Sequence, residues 1–113
     1  MTTRISSDNI QASTLSTLGG PKIANIQIAN STYVANGSST VSTAGGYAII
    51  NGTGFASNVN VVIGNTLASA VSYVSSTRIN IQIPALSANS YIVYVTLTDN
   101  GRVAAKPNGI TTV

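Results

Sequence analysis

The sequence has no His, Cys, Glu or Trp, and Asp8 and Asp99 are its only acidic side chains among 113 residues. Each absence excludes a class of chemistry. General acid–base catalysis draws on His, Glu, Asp, Lys or Cys placed in pairs, and here the two Asp stand at opposite ends of the sequence. A hydroxyl nucleophile needs a neighbouring base. With His gone, only Lys22 or Lys106 could serve Ser, and neither sits in a recognisable motif. Zinc, copper and iron lose their two best ligand types. Asp99 with Asn and backbone oxygens would make at most a weak calcium site. The expectation is a protein that is not an enzyme and has no cofactor and no metal site.

Zero cysteine also removes the disulfide-stapled class of small secreted domains. The opening residues Met1 to Asp8 lack an apolar core segment of the secretory type. Apolar runs extend only a few residues, against the ~20 that span a bilayer, so membrane insertion is not expected and synthesis is expected in a cytoplasm. Charged residues make up 6% of the chain, against about 25% in ordinary domains. The net charge of +3 and pI of about 9.6 come from Arg4, Lys22, Arg78, Arg102 and Lys106. These are scattered, with no basic cluster or interleaved aromatic row, so nucleic acid is not an expected partner. Solubility falls to 15 Ser, 14 Thr and 12 Asn. Such uncharged polar surfaces do not repel one another and suit packed assemblies.

What is present reads as β-structure. Val and Ile total 24 against 5 Leu, a balance that fits pleated, half-buried surfaces. Ile23, Ile26 and Ile28 mark a first strand, and period-two alternation recurs after it: Tyr47 and Ile49 before Gly52; Val59, Val61 and Ile63; Val71 and Tyr73; Ile79, Ile81 and Ile83 ending at Pro84. Tyr91, Val93 and Val95 alternate with Ile92, Tyr94 and Thr96, which predicts a strand covered on both faces. Val103 and Ile110 to Val113 close the chain. Between the runs stand residues that tolerate positive φ: Asn36-Gly37, Gly45-Gly46, Gly52 to Gly54, Gly64-Asn65, Asp99-Asn100-Gly101 as a hairpin, and Pro107-Asn108-Gly109 as a further turn. Seven or eight short strands at roughly ten-residue spacing predict an all-β, immunoglobulin-like two-sheet antiparallel sandwich, with no helix.

Residues 1–20 differ. They are rich in Ser, Thr, Asn and Gln, carry Ile5, Ile10, Leu15 and Leu18 about five apart, and end at Gly19-Gly20-Pro21. That spacing matches neither helix nor strand. The segment reads as an extended N-terminal arm outside a sandwich of residues 21–113. It is either a disordered tail or a peptide that orders on a partner, with those four residues as apolar anchors.

From Pro21 onward the chain resembles the IPT/TIG immunoglobulin-like domain. The resemblance rests on Pro21, Gly45-Gly46 leading into Tyr47 to Ile50, and Asn51-Gly52-Thr53-Gly54-Phe55, similar to the family's strand-ending Gly-x-Gly-Phe. It continues through Val61 to Gly64, Ala68, Ser75 to Ile79, Ile83-Pro84-Ala85 and the late strand Tyr91 to Val95. Gly52 and Gly54 would permit backbone shapes closed to other residues, and Phe55 would plug one end of the core. The rival reading of Gly52-Thr53-Gly54 as a nucleotide loop needs a following helix, whereas residues 58–63 read as strand. The resemblance implies no catalytic residues; family members act as spacers, adhesion units, dimerisation platforms or, with basic loops that this sequence lacks, DNA-contacting modules.

A lone domain of this kind behind the arm Arg4 to Gln11 is similar in style to tailed-bacteriophage accessory proteins. The expected function is a virion structural protein decorating a capsid, with the arm bound to the major capsid protein or another virion protein. A tail or fibre location and a carbohydrate-binding adhesion module are the alternatives. Self-association and a host-surface glycan are further partners the sequence leaves open. Tyr47, Tyr73, Tyr91 and Tyr94 fall in strand patterns and are expected in or beside the core, leaving Tyr33 as the tyrosine expected to make a surface contact. Arg78 or Arg102 beside Asp99 would be an exposed pair of roughly 0–1 kcal/mol. Three Asn-x-Ser/Thr triplets begin at Asn30, Asn36 and Asn51. They carry no weight, because chance matches are frequent in so Asn-rich a chain and no secretory route is visible.

Overall fold

A computed structural model describes residues 21–98 and 102–113. These form eight strands: β1 (Lys22–Ala29), β2 (Gly46–Thr53), β3 (Val59–Ile63), β4 (Thr66–Leu67), β5 (Ala70–Ser75), β6 (Arg78–Ile83), β7 (Asn89–Leu97) and β8 (Val103–Thr112). They pair as two antiparallel four-stranded sheets, β1-β2-β6-β5 (sheet 1) and β4-β3-β7-β8 (sheet 2). No described residue is helical. The sandwich predicted from alternation is the fold.

The core is the set of alternate residues that each sheet turns inward. Sheet 1 supplies Ile28, Ala48, Ile50, Ile79, Ile81 and Ile83, and sheet 2 supplies Val59, Val61, Ile63, Val93, Val95, Leu97 and Ile110. Branched side chains dominate because they fill the space between pleats with little rotamer freedom to lose. Phe55, the one Phe in the sequence, is buried at the end of this core, as expected. Thr112 is the buried polar residue among those described. Its hydroxyl donates to the Ser87 carbonyl at 2.6 Å and accepts from the Asn89 amide at 3.0 Å, so its polar atom is matched rather than stranded.

The two sheets are sewn together along one side. After β1 the chain turns back on that strand, with the Asn36 amide donating to the Ile28 carbonyl at 3.0 Å. It then crosses to sheet 2, where Val41 runs parallel to Thr112. The Val41 amide donates to the Thr111 carbonyl at 2.9 Å, and the Val113 amide donates to the Val41 carbonyl at 3.0 Å.

Three sequence expectations change. Pro107-Asn108-Gly109 is not a turn between two strands. It is a bulge within β8, where the partners shift from Tyr91 opposite Ile110 to Val93 opposite Lys106. Asn108 takes the positive φ of 53° that the bulge requires. The strand Tyr91 to Thr96 is not covered on both faces: Val93 and Val95 are fully buried, but Ile92 is 40% exposed. Tyr73, expected in or beside the core, is also 40% exposed, on the edge strand β5. Residues 99–101, including the hairpin expected at Asp99-Asn100-Gly101, lie outside the described residues, although the strands on either side do pair antiparallel.

Candidate functional site

Tyr33 belongs to the segment that leaves β1. Asn30 begins a tight turn there. Its side-chain Oδ1 accepts from the amides of Thr32 at 3.0 Å and Val34 at 3.1 Å and from the Thr32 hydroxyl at 2.7 Å. Its carbonyl accepts from the Tyr33 amide at 2.9 Å. An Asn side chain copies a backbone turn in this way. The clamp holds Tyr33 at a φ of 60°, a region that costs a non-glycine residue about 1 kcal/mol or more.

The strain places Tyr33 over the outward face of sheet 1. Its ring meets that of Tyr47 edge to face, centroids 5.5 Å apart at 88°, the arrangement that sets a positive ring edge against a negative ring face. Its carbonyl accepts from Arg78 Nη2 at 3.0 Å. Register puts Tyr47 and Arg78 in the outward rows on either side of Ile49, so residue 33 spans the Ile49 row. That accounts for Ile49, which points away from the core yet is only 4% exposed. Tyr33 itself is half-buried.

Around this corner the outward face is an array of neutral amides and hydroxyls. Asn51 donates to Asn25 Oδ1 at 2.8 Å and to Gln27 Oε1 at 3.0 Å. Arg78 Nε donates to Asn80 Oδ1 at 3.0 Å. The guanidinium is therefore tied to two neutral oxygens of its own chain. Asp99, its expected partner, lies outside the described residues. The face can hydrogen-bond a neutral polar ligand or another polar surface. No group of three or more His, Cys, Asp or Glu that could hold a metal ion occurs among the described residues.

Burial raises the Tyr33 phenol above its ordinary value of 10.0, and the neighbouring Tyr47 adds to the rise. The neutral phenol is the form the folded state prefers, so its contribution to stability is intact below pH 10 and lost as pH climbs through the folded value. Denaturant titrations in alkaline buffer should show stability falling more steeply with pH for the native sequence than for Tyr33→Phe. Parallel curves would place Tyr33 in water.

Of the residues singled out in sequence, Ile5, Ile10, Leu15 and Leu18 lie outside the described residues. Tyr33 is placed in a contact corner with Tyr47 and Arg78. Sequence reasoning missed Asn30 and Arg78 as the residues that fix it. Asn30-Ser31-Thr32 held the signal, since an Asn with Thr two residues on also starts an Asx turn.

A family model described as IPT/TIG domain matches residues 21–112. No curated protein matches the chain.

Proposed function

Because the chain belongs to the IPT/TIG family of immunoglobulin-like domains, a non-catalytic family, we propose that it works by binding and building. The proposed setting is a tailed-bacteriophage particle, where the chain is a capsid accessory protein held to the shell by residues 1–20. The observation that carries this reading is the surface. Among the described residues there is no Asp or Glu, and the basic residues are Lys22, Arg78, Arg102 and Lys106. Many copies held close together on one shell accumulate repulsion when each is strongly charged, and a surface of Asn, Gln, Ser and Thr avoids it. The arm's four apolar residues are the complementary part, able to bury in a groove of the shell while the sandwich stays outside.

Co-sedimentation with purified particles tests this. The full-length chain should pellet with heads, and the Ile10→Asp/Leu15→Asp chain should remain in the supernatant with an unchanged circular dichroism spectrum. Full decoration by the double variant would remove the arm as anchor, and pelleting with isolated tails instead would move the protein to the tail or a fibre attachment point. One observation favours a second reading, a carbohydrate-binding adhesion module. The Tyr33–Tyr47 pair stands beside Arg78 and a field of amides, which is the chemistry that grips a sugar. Glycan-array signal lost on Tyr33→Ala, with particle binding absent, would establish that reading in place of the first.

A further inference from the structure

Asn36-Gly37-Ser38 carries no weight as a glycan acceptor, but its first two residues have a chemistry that needs no enzyme. Asn before Gly is the pair most open to attack by the chain on its own side chain, because a residue without Cβ leaves the approach to its amide nitrogen unhindered. The described residues hold three such pairs: Asn36-Gly37, Asn51-Gly52 and Asn108-Gly109. The fold treats them differently.

Asn51 is locked into β2. Its register partners are Asn25 and Arg78, its Nδ2 donates to Asn25 Oδ1 and Gln27 Oε1, and the Gly52 amide donates to the Thr77 carbonyl at 3.0 Å. Asn108 is held at a φ of 53° inside β8. A Cβ at Gly109 would stand 2.8 Å from Val93 Cγ2 and 3.1 Å from the Lys106 carbonyl oxygen, so a ring closing there has no room. Asn36 has none of these restraints. It is exposed, just past the bond from its own amide to the Ile28 carbonyl. Gly37 has a φ of 77° with nothing within 4 Å of its missing Cβ. Among the described residues its amide has no acceptor. The Asn36 Oδ1 accepts from the Ser38 amide at 2.9 Å, which draws electrons from Cγ and makes that carbon a better target.

We propose that Asn36 is a site of self-modification, at which the Gly37 nitrogen displaces the side-chain amide. The Gly37 nitrogen bonds to Asn36 Cγ, the Cγ–Nδ2 bond breaks, and the Gly37 amide proton passes through solvent to Nδ2, which leaves as ammonia. Water then opens the imide ring. Attack at Cγ breaks its bond to the Gly37 nitrogen and gives Asp. Attack at the Asn36 backbone carbonyl breaks that carbon's bond to the same nitrogen and gives isoaspartate, with the chain now running through Cγ. Neither step uses an oxidant, a reductant or a side-chain base. Both products put a carboxylate among described residues that have no Asp or Glu, and both take the net charge from +3 down by one unit. Isoaspartate also adds a backbone carbon to the strap that joins the sheets, between the Asn36–Ile28 and Val41–Thr111 bonds. The surface charge therefore changes with the age of the chain, whether or not the protein belongs to a particle.

Incubation of the full-length chain in mildly alkaline buffer, read by peptide mapping with mass spectrometry, is the test. Chymotryptic cleavage after Tyr33, Tyr47 and Phe55 puts Asn36 and Asn51 on different peptides. In the folded chain Asn36 should convert to Asp and isoaspartate at least about tenfold faster than Asn51 or Asn108, whose reaction waits on local opening of a strand ladder. Unfolding in denaturant should bring the three rates together. Gly37→Ala, at an unobstructed position, should keep the circular dichroism spectrum of the native chain and slow the reaction at Asn36. The proposal is overturned if Asn51 or Asn108 keeps pace with Asn36 in the folded chain, or if Asn36 stays intact there while the unfolded chain reacts. Conversion of the Gly37→Ala chain at the native rate also overturns it.

Discussion

Phe55→Ala should lower the stability of the sandwich by about 3–5 kcal/mol, the usual cost of emptying a buried Phe site. The side chain is only 3% exposed, and no second Phe exists to close the same end of the core. Its place is tied to the backbone, because the Phe55 amide donates to the Ser76 carbonyl at 3.0 Å and the Gly52 amide to the Thr77 carbonyl at 3.0 Å. These bonds draw the chain after β2 onto the turn between β5 and β6, so the surroundings cannot simply collapse into the void. Thermal unfolding followed by circular dichroism reads the effect. For a domain of this size each kcal/mol moves the midpoint by roughly 4–8 °C, so a drop of only a few degrees would mean that Phe55 is not a core residue.

Gly52→Ala should be nearly as damaging although it adds a single carbon. A Cβ at position 52 would fall on the Lys22 carbonyl oxygen and stand 2.8 Å from Phe55 Cζ. Overfilling a packed site costs about 1–3 kcal/mol where side chains can shift. Here the obstacle is backbone, drawn close where the β1–β2 register slips between Ile23 and Asn25, so the loss should reach the top of that range. The double variant separates the two contacts. Removing the Phe55 ring relieves one clash and leaves the carbonyl, so Gly52→Ala should cost less in the Phe55→Ala background than in the native one, but still more than nothing. Strict additivity would mean that the ring and the glycine do not meet, since residues in contact show coupling of about 0.5–3 kcal/mol.

Gly52 shows how a correct sequence signal can carry the wrong reason. The pair Gly52 and Gly54 was expected to supply backbone freedom. Gly54 does, with a φ of 76°, whereas Gly52 lies within β2 and is needed for room. Room depends on what arrives from elsewhere in the chain, here a carbonyl thirty residues earlier. The same applies to Tyr33, whose polar neighbourhood suggested an exposed ring. The Asn30 clamp is local and was legible in principle. The partners Tyr47 and Arg78 are distant in sequence and became neighbours only when β2 and β6 paired.

The sequence by itself determined the class of protein. Alternating Val and Ile broken by Gly and Asn can bury their apolar side chains only as strands, and a chain with two Asp and no His, Cys or Glu has little with which to do chemistry. The number of strands and most of the core followed, because period two assigns residues to faces wherever a strand runs. Alternation does not say how the strands are matched against each other. That the bulge at Asn108 lies inside β8, that Ile49 is roofed while Ile92 is bare, and that Leu67, Val62, Tyr94 and Ala105 line up as one row are all consequences of register. Register is settled by packing both inner faces together at once, so only the tertiary structure decided which outward surface was polar and which was left apolar.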